Sequence, residues 1–272
     1  MNDQSVQAFA DLQVNRLIQS DRGTTLDDLA EQLDRKTCQL QIAKESRDYL
    51  PTPKLYTSRA PSVVVLIISR KHQDHWHATL AATGFVISED GAVATNRHLL
   101  RKRDEYLFAL TFDRRLIPIT KVLASNEKND AAILQMEGSG FTPIALRSGV
   151  AVGAPIRILS HPKSRLFTLT QGIVSRRFSR AALSTNGKEG EEQRRIDFSN
   201  TTKWVTVTAD FGKGSSGAPV FDRFGNAIAV ATSTSSITVE RDEDSISQMV
   251  FRDCVAAEVF LAMIEPTSQR GQ

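Results

Sequence analysis

The sequence has no apolar run long enough to cross a bilayer. Its longest, Ser62 to Ser69 (SVVVLIIS), falls far short of the roughly 20 residues a spanning helix needs, and its β-branched chemistry reads as a strand. No membrane span is expected. Cysteine is scarce too: Cys38 and Cys254 are too few for a disulfide framework and sit in no CxxC spacing, which excludes a disulfide-stapled scaffold and a cysteine-ligated metal module. Charge of one sign is also lacking, since 34 basic residues stand against 31 acidic ones, interspersed along the chain. Without a basic stripe to neutralise phosphates, a nucleic-acid partner is not expected. The N-terminal MNDQSVQAFADLQ has neither the basic nor the apolar region of a signal peptide, a pattern that fits a cytosolic chain or a mature one whose leader was removed.

What is present, 40% apolar and 24% charged residues over 272 positions, is the composition of a globular protein with chain enough for a large core. The first 58 residues differ from the rest. Val6, Phe9, Leu12, Val14, Leu17 and Ile18 recur at near-helical spacing, and Thr25 precedes LDDLAEQLD as an N-cap would. CQLQI alternates like a strand, and the proline-bearing 51–62 segment marks a boundary. Residues 1–58 are therefore expected to form a helical extension, and residues 59–272 the main folded unit.

From Ser62 the pattern changes to short β-branched runs separated by turn residues: SVVVLIIS, TGFVIS, GAVAT, YLFALTF, AAILQM, PIRILS, FTLTQGIVS, WVTVTA, APVFD and NAIAVAT among them. About a dozen strands at such spacing predict an all-β fold. They divide into two groups around 147–152, so two six-stranded antiparallel β-barrels are expected, over about 61–146 and 152–252. A closing helix is expected over 253–264, and 186–195 (NGKEGEEQRR) as a solvated hairpin loop.

The chemistry concentrates in Asp210 to Asp222, DFGKGSSGAPVFD. A serine between glycines suits a tight turn whose backbone N–H groups converge beside the hydroxyl, as an acyl-transfer nucleophile requires. Serine is a poor nucleophile alone, so a histidine base and a carboxylate that fixes the base's tautomer should accompany it. His98 ends the segment that runs from TGFVISEDG to ATNRH, and Asp130 opens NDAAIL.

These three segments resemble the TGFVIxxDGxxxTNxH, NDxAxL and GxSGxP motifs of trypsin-like serine peptidases, in the family's order of His, Asp and Ser, and most nearly those of bacterial single-domain and high-temperature-requirement-type enzymes. The resemblance covers about 61–265. It implies a serine endopeptidase with its site between two barrels, acting on polypeptides without a metal or organic cofactor. Ser216 would attack the scissile carbonyl, His98 would serve as general base, Asp130 would orient it, and the N–H groups of Gly214 and Ser216 would form the oxyanion hole. Ser215 stands where self-activating trypsins carry an aspartate, so activation through a new N-terminal amine is not expected. Only a few residues follow Ile264, too few for a C-terminal PDZ domain. The compartment stays open, with periplasmic or secreted preferred over cytoplasmic; the oligomeric state is not readable.

Several residues carry two readings. Asp210, six residues before Ser216, stands where trypsins place the aspartate of the primary specificity pocket, and would then select Lys or Arg; otherwise it caps a strand end or hydrogen-bonds the oxyanion loop. Thr232, Ser233, Thr234 and Ser235 are expected to supply the edge on which a substrate backbone adds as a strand. Cys38 and Cys254 are either a disulfide joining the extension to the closing segment or two buried thiols. His75 and His77 would share a strand face, but without a clear further ligand no metal site is expected. The rival to the enzyme is a catalytically silent module that binds peptides in the same cleft, or a peptidase regulated by its first 58 residues.

Overall fold

The computed structural model describes residues 3–186, 193–241 and 244–266. The chain opens with α1 (Asp3–Gln19), α2 (Leu26–Ala30), β1 (Cys38–Leu40) and α3 (Thr52–Arg59). Then come β2 (Val63–His72), β3 (His75–Val86), β4 (Ala92–Thr95), β5 (Tyr106–Leu110), β6 (Leu116–Asn126) and β7 (Ala131–Met136). A second set follows: β8 (Pro155–Ser160), β9 (Thr168–Asn186), β10 (Gln193–Val207), β11 (Pro219–Phe221), β12 (Ala227–Arg241) and β13 (Asp244–Ala256). The described chain ends with α4 (Ala257–Leu261) and β14 (Ile264–Pro266). Each set closes into a barrel, in the orders β2-β3-β4-β7-β6-β5 and β10-β13-β12-β11-β8-β9. The two antiparallel barrels read from the strand spacing are thus the architecture.

The continuous apolar run in β2 follows from burial on both faces. Val64, Leu66 and Ile68 point into the first barrel with Leu107, Val122 and Leu134. Val63, Val65 and Ile67 point the other way, into a cluster that also takes Val14 of α1, Leu55 of α3, Phe260 of α4 and Val230 and Val255 of the second barrel. With period-two geometry neither face can be polar. Each such side chain contributes about 1.5–3 kcal/mol on burial.

The N-terminal helices complete the first barrel. Thr25 caps α2 by accepting the Asp28 N–H at 3.1 Å, as its sequence position predicts, and Leu26 and Leu29 enter the barrel's core. On α1, Val6, Ala10 and Val14 are buried, and the adjoining polar row Gln7, Asp11 and Asn15 meets the edge of β3. The Asn15 amide accepts the Trp76 N–H at 2.9 Å and donates to the Trp76 carbonyl at 2.7 Å. Asp11 accepts the Ala78 N–H, and Gln7 donates to the Ala78 carbonyl, both at 2.7 Å. Since β3 meets β4 only at Phe85 and Val86, these amide and carboxylate groups satisfy an edge that, among the described residues, has no strand beside it.

Three expectations need correction or limitation. The closing helix is confined to α4: Asp253–Ala256 continue β13, with Cys254 turned into the second barrel and Val255 outward, an alternation that a helical reading of the same apolar residues conceals. The Cys38–Cys254 bridge is absent, and both thiols are free. Cys38 lies opposite Ile264 in the parallel β1–β14 pair, whereas Cys254 is sealed inside the second barrel with Val205 and Ala231. Burial, helped by Glu265, raises the Cys38 pKa to about 11, and burial raises Cys254 well above the ordinary thiol value, so both stay protonated and inert near neutrality. Of the 186–195 loop, residues 187–192 lie outside the described residues, with β9 and β10 leading to and from them.

Candidate active site

The first barrel presents a histidine and an aspartate. A short 3-10 turn, Arg97–Leu99, follows β4 and carries His98, while Asp130 immediately precedes β7. The β4–β7 pairing sets Thr95 opposite Ala132, which brings the two segments together. One carboxylate oxygen of Asp130 accepts the His98 backbone N–H at 2.7 Å, and the other meets His98 Nδ1 at 2.6 Å. The imidazole is thereby fixed in position, and with a proton on Nδ1 its Nε2 is the basic nitrogen. Asp130 itself has φ +51°, a left-handed conformation unusual for a residue with a side chain. Two contacts lock it: its carbonyl accepts the Arg97 N–H at 3.2 Å and the Asn96 amide at 3.0 Å.

The second barrel presents the serine on the turn before β11. Gly214 and Gly217 have φ +97° and +87°. A Cβ on Gly214 would lie 2.5 Å from the His161 carbonyl, and one on Gly217 would lie 2.0 Å from the Thr83 carbonyl, so both conformation and space demand glycine. The turn's carbonyls are each tied down. Lys213 O accepts the Lys163 N–H at 2.8 Å, Gly214 O accepts the Thr83 hydroxyl at 2.9 Å, Ser215 O accepts the Ala218 N–H at 3.0 Å, and Ser216 O accepts the Thr83 N–H at 2.8 Å. In a trans peptide the N–H points opposite its carbonyl. Anchoring Lys213 O and Ser215 O therefore turns the N–H groups of Gly214 and Ser216 to the other side, and among the described residues neither has an acceptor.

The two serines of the turn differ. Ser215 is fully buried and donates to Ser160 Oγ at 3.0 Å, a structural contact. Ser216 is partly exposed, and its hydroxyl donates to the Thr232 carbonyl at 3.4 Å; among the described residues no hydrogen bond joins it to His98. Thr232 is where the barrels meet, because its own hydroxyl accepts the Asn96 amide at 3.1 Å. Asn96 and Thr83 were parts of legible motifs but had no role assigned. The structure makes them the pins between the histidine side and the serine side.

Thr232, Ser233, Thr234 and Ser235 lie on β12 beyond its contact with β11, which ends at Val230. From Ser233 onward β12 pairs only with β13, leaving its other edge without a strand among the described residues. Asp210 has a partner that local sequence did not reveal. Its side chain is 78% exposed and forms an ion pair with Arg252 of β13, so it is not a lone carboxylate awaiting a basic side chain. Also among the described residues, no group of three or more His, Cys, Asp and Glu is arranged to hold a metal.

The chain is similar in sequence and in fold to known proteins. The chain is 27% identical over 155 residues to a probable periplasmic serine endoprotease DegP-like of Hahella chejuensis, covering 56% of this chain and 29% of that one. It is 28% identical over 162 residues to the DegP-like protein of Brucella suis, covering 58% and 28%, and 28% identical over 199 residues to mouse serine protease HTRA4, covering 70% and 38%. The chain thus spans less than two fifths of the length of these relatives. Among solved structures, the HtrA-type protease AlgW with decapeptide superposes with a TM-score of 0.57 at 16% identity, over 78% of this chain and 66% of that one, a likeness of fold. The model of the Trypsin-like peptidase domain matches residues 82–230, more than half of the chain and the stretch that holds His98, Asp130 and Ser216; the chain belongs to that family.

Proposed function

We propose that the protein is a serine endopeptidase that cleaves polypeptides through an acyl-enzyme on Ser216. The observation that carries this reading is the pairing of His98 with Asp130 opposite a serine turn that leaves two N–H groups without acceptors among the described residues. His98 Nε2 takes the Ser216 proton as Oγ attacks the scissile carbonyl, and returns it to the leaving amine; water then repeats the sequence on the ester. Asp130 keeps the tautomer and stabilises the imidazolium. The Gly214 and Ser216 N–H groups receive the charge on the tetrahedral oxygen, each such donor being worth about 10²–10³ in turnover. The open edge of β12 past Thr232 receives the substrate backbone as an added strand. Residues 59–272 form the peptidase unit and residues 1–58 serve as its structural extension, a role supported by the packing of α1 and α2 on the first barrel. The periplasmic relatives support a periplasmic or secreted location.

One observation favours the silent-module alternative, since the Ser216 hydroxyl rests on the Thr232 carbonyl rather than on His98. Catalytic hydrogen bonds commonly tighten only when substrate is bound. Intact mass after fluorophosphonate treatment separates the two: a single adduct on the wild type and none on Ser216→Ala is expected. A folded wild type that stays unlabelled would make the protein a binding module.

A further inference from the structure

The Asp210–Arg252 ion pair joins β13 to the segment that leads to Ser216. Arg252 shares a strand face with Cys254 and Ala256, which line the inside of the second barrel, so its side chain enters the mouth of that barrel. Its register partner across the sheet is Thr234, on the segment of β12 that begins at Thr232 beneath the Ser216 hydroxyl. Its ion-pair partner, Asp210, starts the segment leading to Ser216. Arg252 is thus enclosed between the two stretches that flank the nucleophile.

The two members of the pair are unequally placed. The Asp210 side chain is 78% exposed and that of Arg252 only 20%. Of the guanidinium's donors, Nη2 faces Asp210 and Nη1 reaches the Val250 carbonyl at a long 3.4 Å, while Nε is buried without a partner among the described residues. Asp253, the next residue, does not help, because it points to the opposite face and is occupied there by Arg180 and Thr206, each at 2.7 Å. An ion pair to so exposed an acid adds little, so an incoming carboxylate can replace Asp210 and satisfy donors that the fold leaves under-used.

We propose that Arg252 is the specificity-determining residue of the pocket beside Ser216, and that it selects substrates with an acidic side chain, Asp or Glu, on the acyl side of the scissile bond. This rests on the peptidase reading for turnover, but the pocket's preference can be measured without it. A lysine or arginine in the same place meets a like charge.

The test uses the Ser216→Ala full-length protein and calorimetry with otherwise identical peptides carrying Asp, Val or Lys at that position. Aspartate should bind roughly 10- to 100-fold tighter than valine or lysine, the range for a charge-assisted contact. The preference should vanish in Ser216→Ala/Arg252→Gln and grow a few-fold in Ser216→Ala/Asp210→Asn, where the competing acid is gone. Equal affinities, tighter binding of lysine or valine, or no binding of any peptide would overturn the assignment. Fluorophosphonate labelling, performed in parallel on the Ser216-containing protein, reports the nucleophile independently of the peptide preference. Labelling without any acidic preference sinks the pocket and spares the peptidase, whereas acidic preference without labelling does the reverse.

Discussion

The two barrels contribute to the site in different ways. On the first, the working groups are side chains: His98 and Asp130 are joined at 2.6 Å, and the same carboxylate grips the His98 backbone at 2.7 Å. On the second, most of the preparation is in the backbone, with four consecutive carbonyls anchored and, among the described residues, two N–H groups left free and only a 3.4 Å contact for the Ser216 hydroxyl. The base is oriented before substrate arrives. In the proposed reaction the serine side would hold a receptor for charge that exists only in the transition state, which is where binding energy accelerates a reaction. Substitutions should therefore separate the sides, as side-chain chemistry on one and backbone conformation on the other.

The largest expected effect is on the first barrel. Asp130→Asn leaves a side chain of the same shape but removes the acceptor for the Nδ1 proton, so the imidazole takes the wrong tautomer. Turnover of a peptide substrate should fall by about 10⁴, with the urea midpoint nearly unchanged. A loss of less than tenfold would mean that the His98–Asp130 contact is structural.

On the second barrel a glycine pair provides the matching test. Gly214→Ala forces a Cβ to within 2.5 Å of the His161 carbonyl at a φ of +97°, so the Lys213–Gly214 peptide must rotate and its N–H leaves the oxyanion position. Turnover should fall by about 10²–10³. Gly212→Ala, two residues earlier, meets nothing within 4 Å and should keep nearly full turnover. Equal losses in both would show that the turn needs flexibility rather than one conformation.

The edge of the first barrel gives a smaller, purely structural effect. Asn15→Leu leaves the Trp76 N–H and carbonyl without their side-chain partner. A loss of about 1–3 kcal/mol in denaturant stability is expected for the orphaned groups, with fluorophosphonate labelling of Ser216 unchanged. Faster labelling would instead mark α1 as a restraint on the site.

The same division governs what was legible from residue order. His98, Asp130 and Ser216 stood out as candidates because the proposed chemistry needs particular residue types in short motifs, and the barrels were legible because β-branched runs and turns alternate. Contacts made through backbone were opaque. Thr83 grips the serine turn with its N–H and hydroxyl, and Lys163 acts through an N–H that any residue but proline would supply. Arg252 lies far along the chain from Ser216 and reaches the pocket only through the β12–β13 register, so local spacing left Asp210 looking unpaired. The 253–264 stretch was misread because an apolar segment buried on both faces satisfies helical and strand periodicities alike.

His161 offers the gentlest way to probe the serine side. It is buried, and its Nδ1 accepts the Phe167 N–H at 3.0 Å, beside the left-handed turn through Lys163 and Ser164 that meets the serine turn at the Lys213 carbonyl. Burial lowers its pKa to about 3, with a backbone contact at Val64 opposing the shift. The unfolded chain, with an ordinary imidazole near 6.5, therefore binds a proton that the folded chain refuses between about pH 6.5 and 3. Stability is flat with respect to this group above that window and is lost as pH falls through it, by at most about 1.4 kcal/mol per pH unit. Urea midpoints between pH 7 and 4 should show this slope in the wild type, and His161→Gln, which can keep an acceptor for Phe167, should flatten it. A variant as acid-sensitive as the wild type would place the acid response in the carboxylates, and the turn that anchors Lys213 would then hold its shape independently of the imidazole.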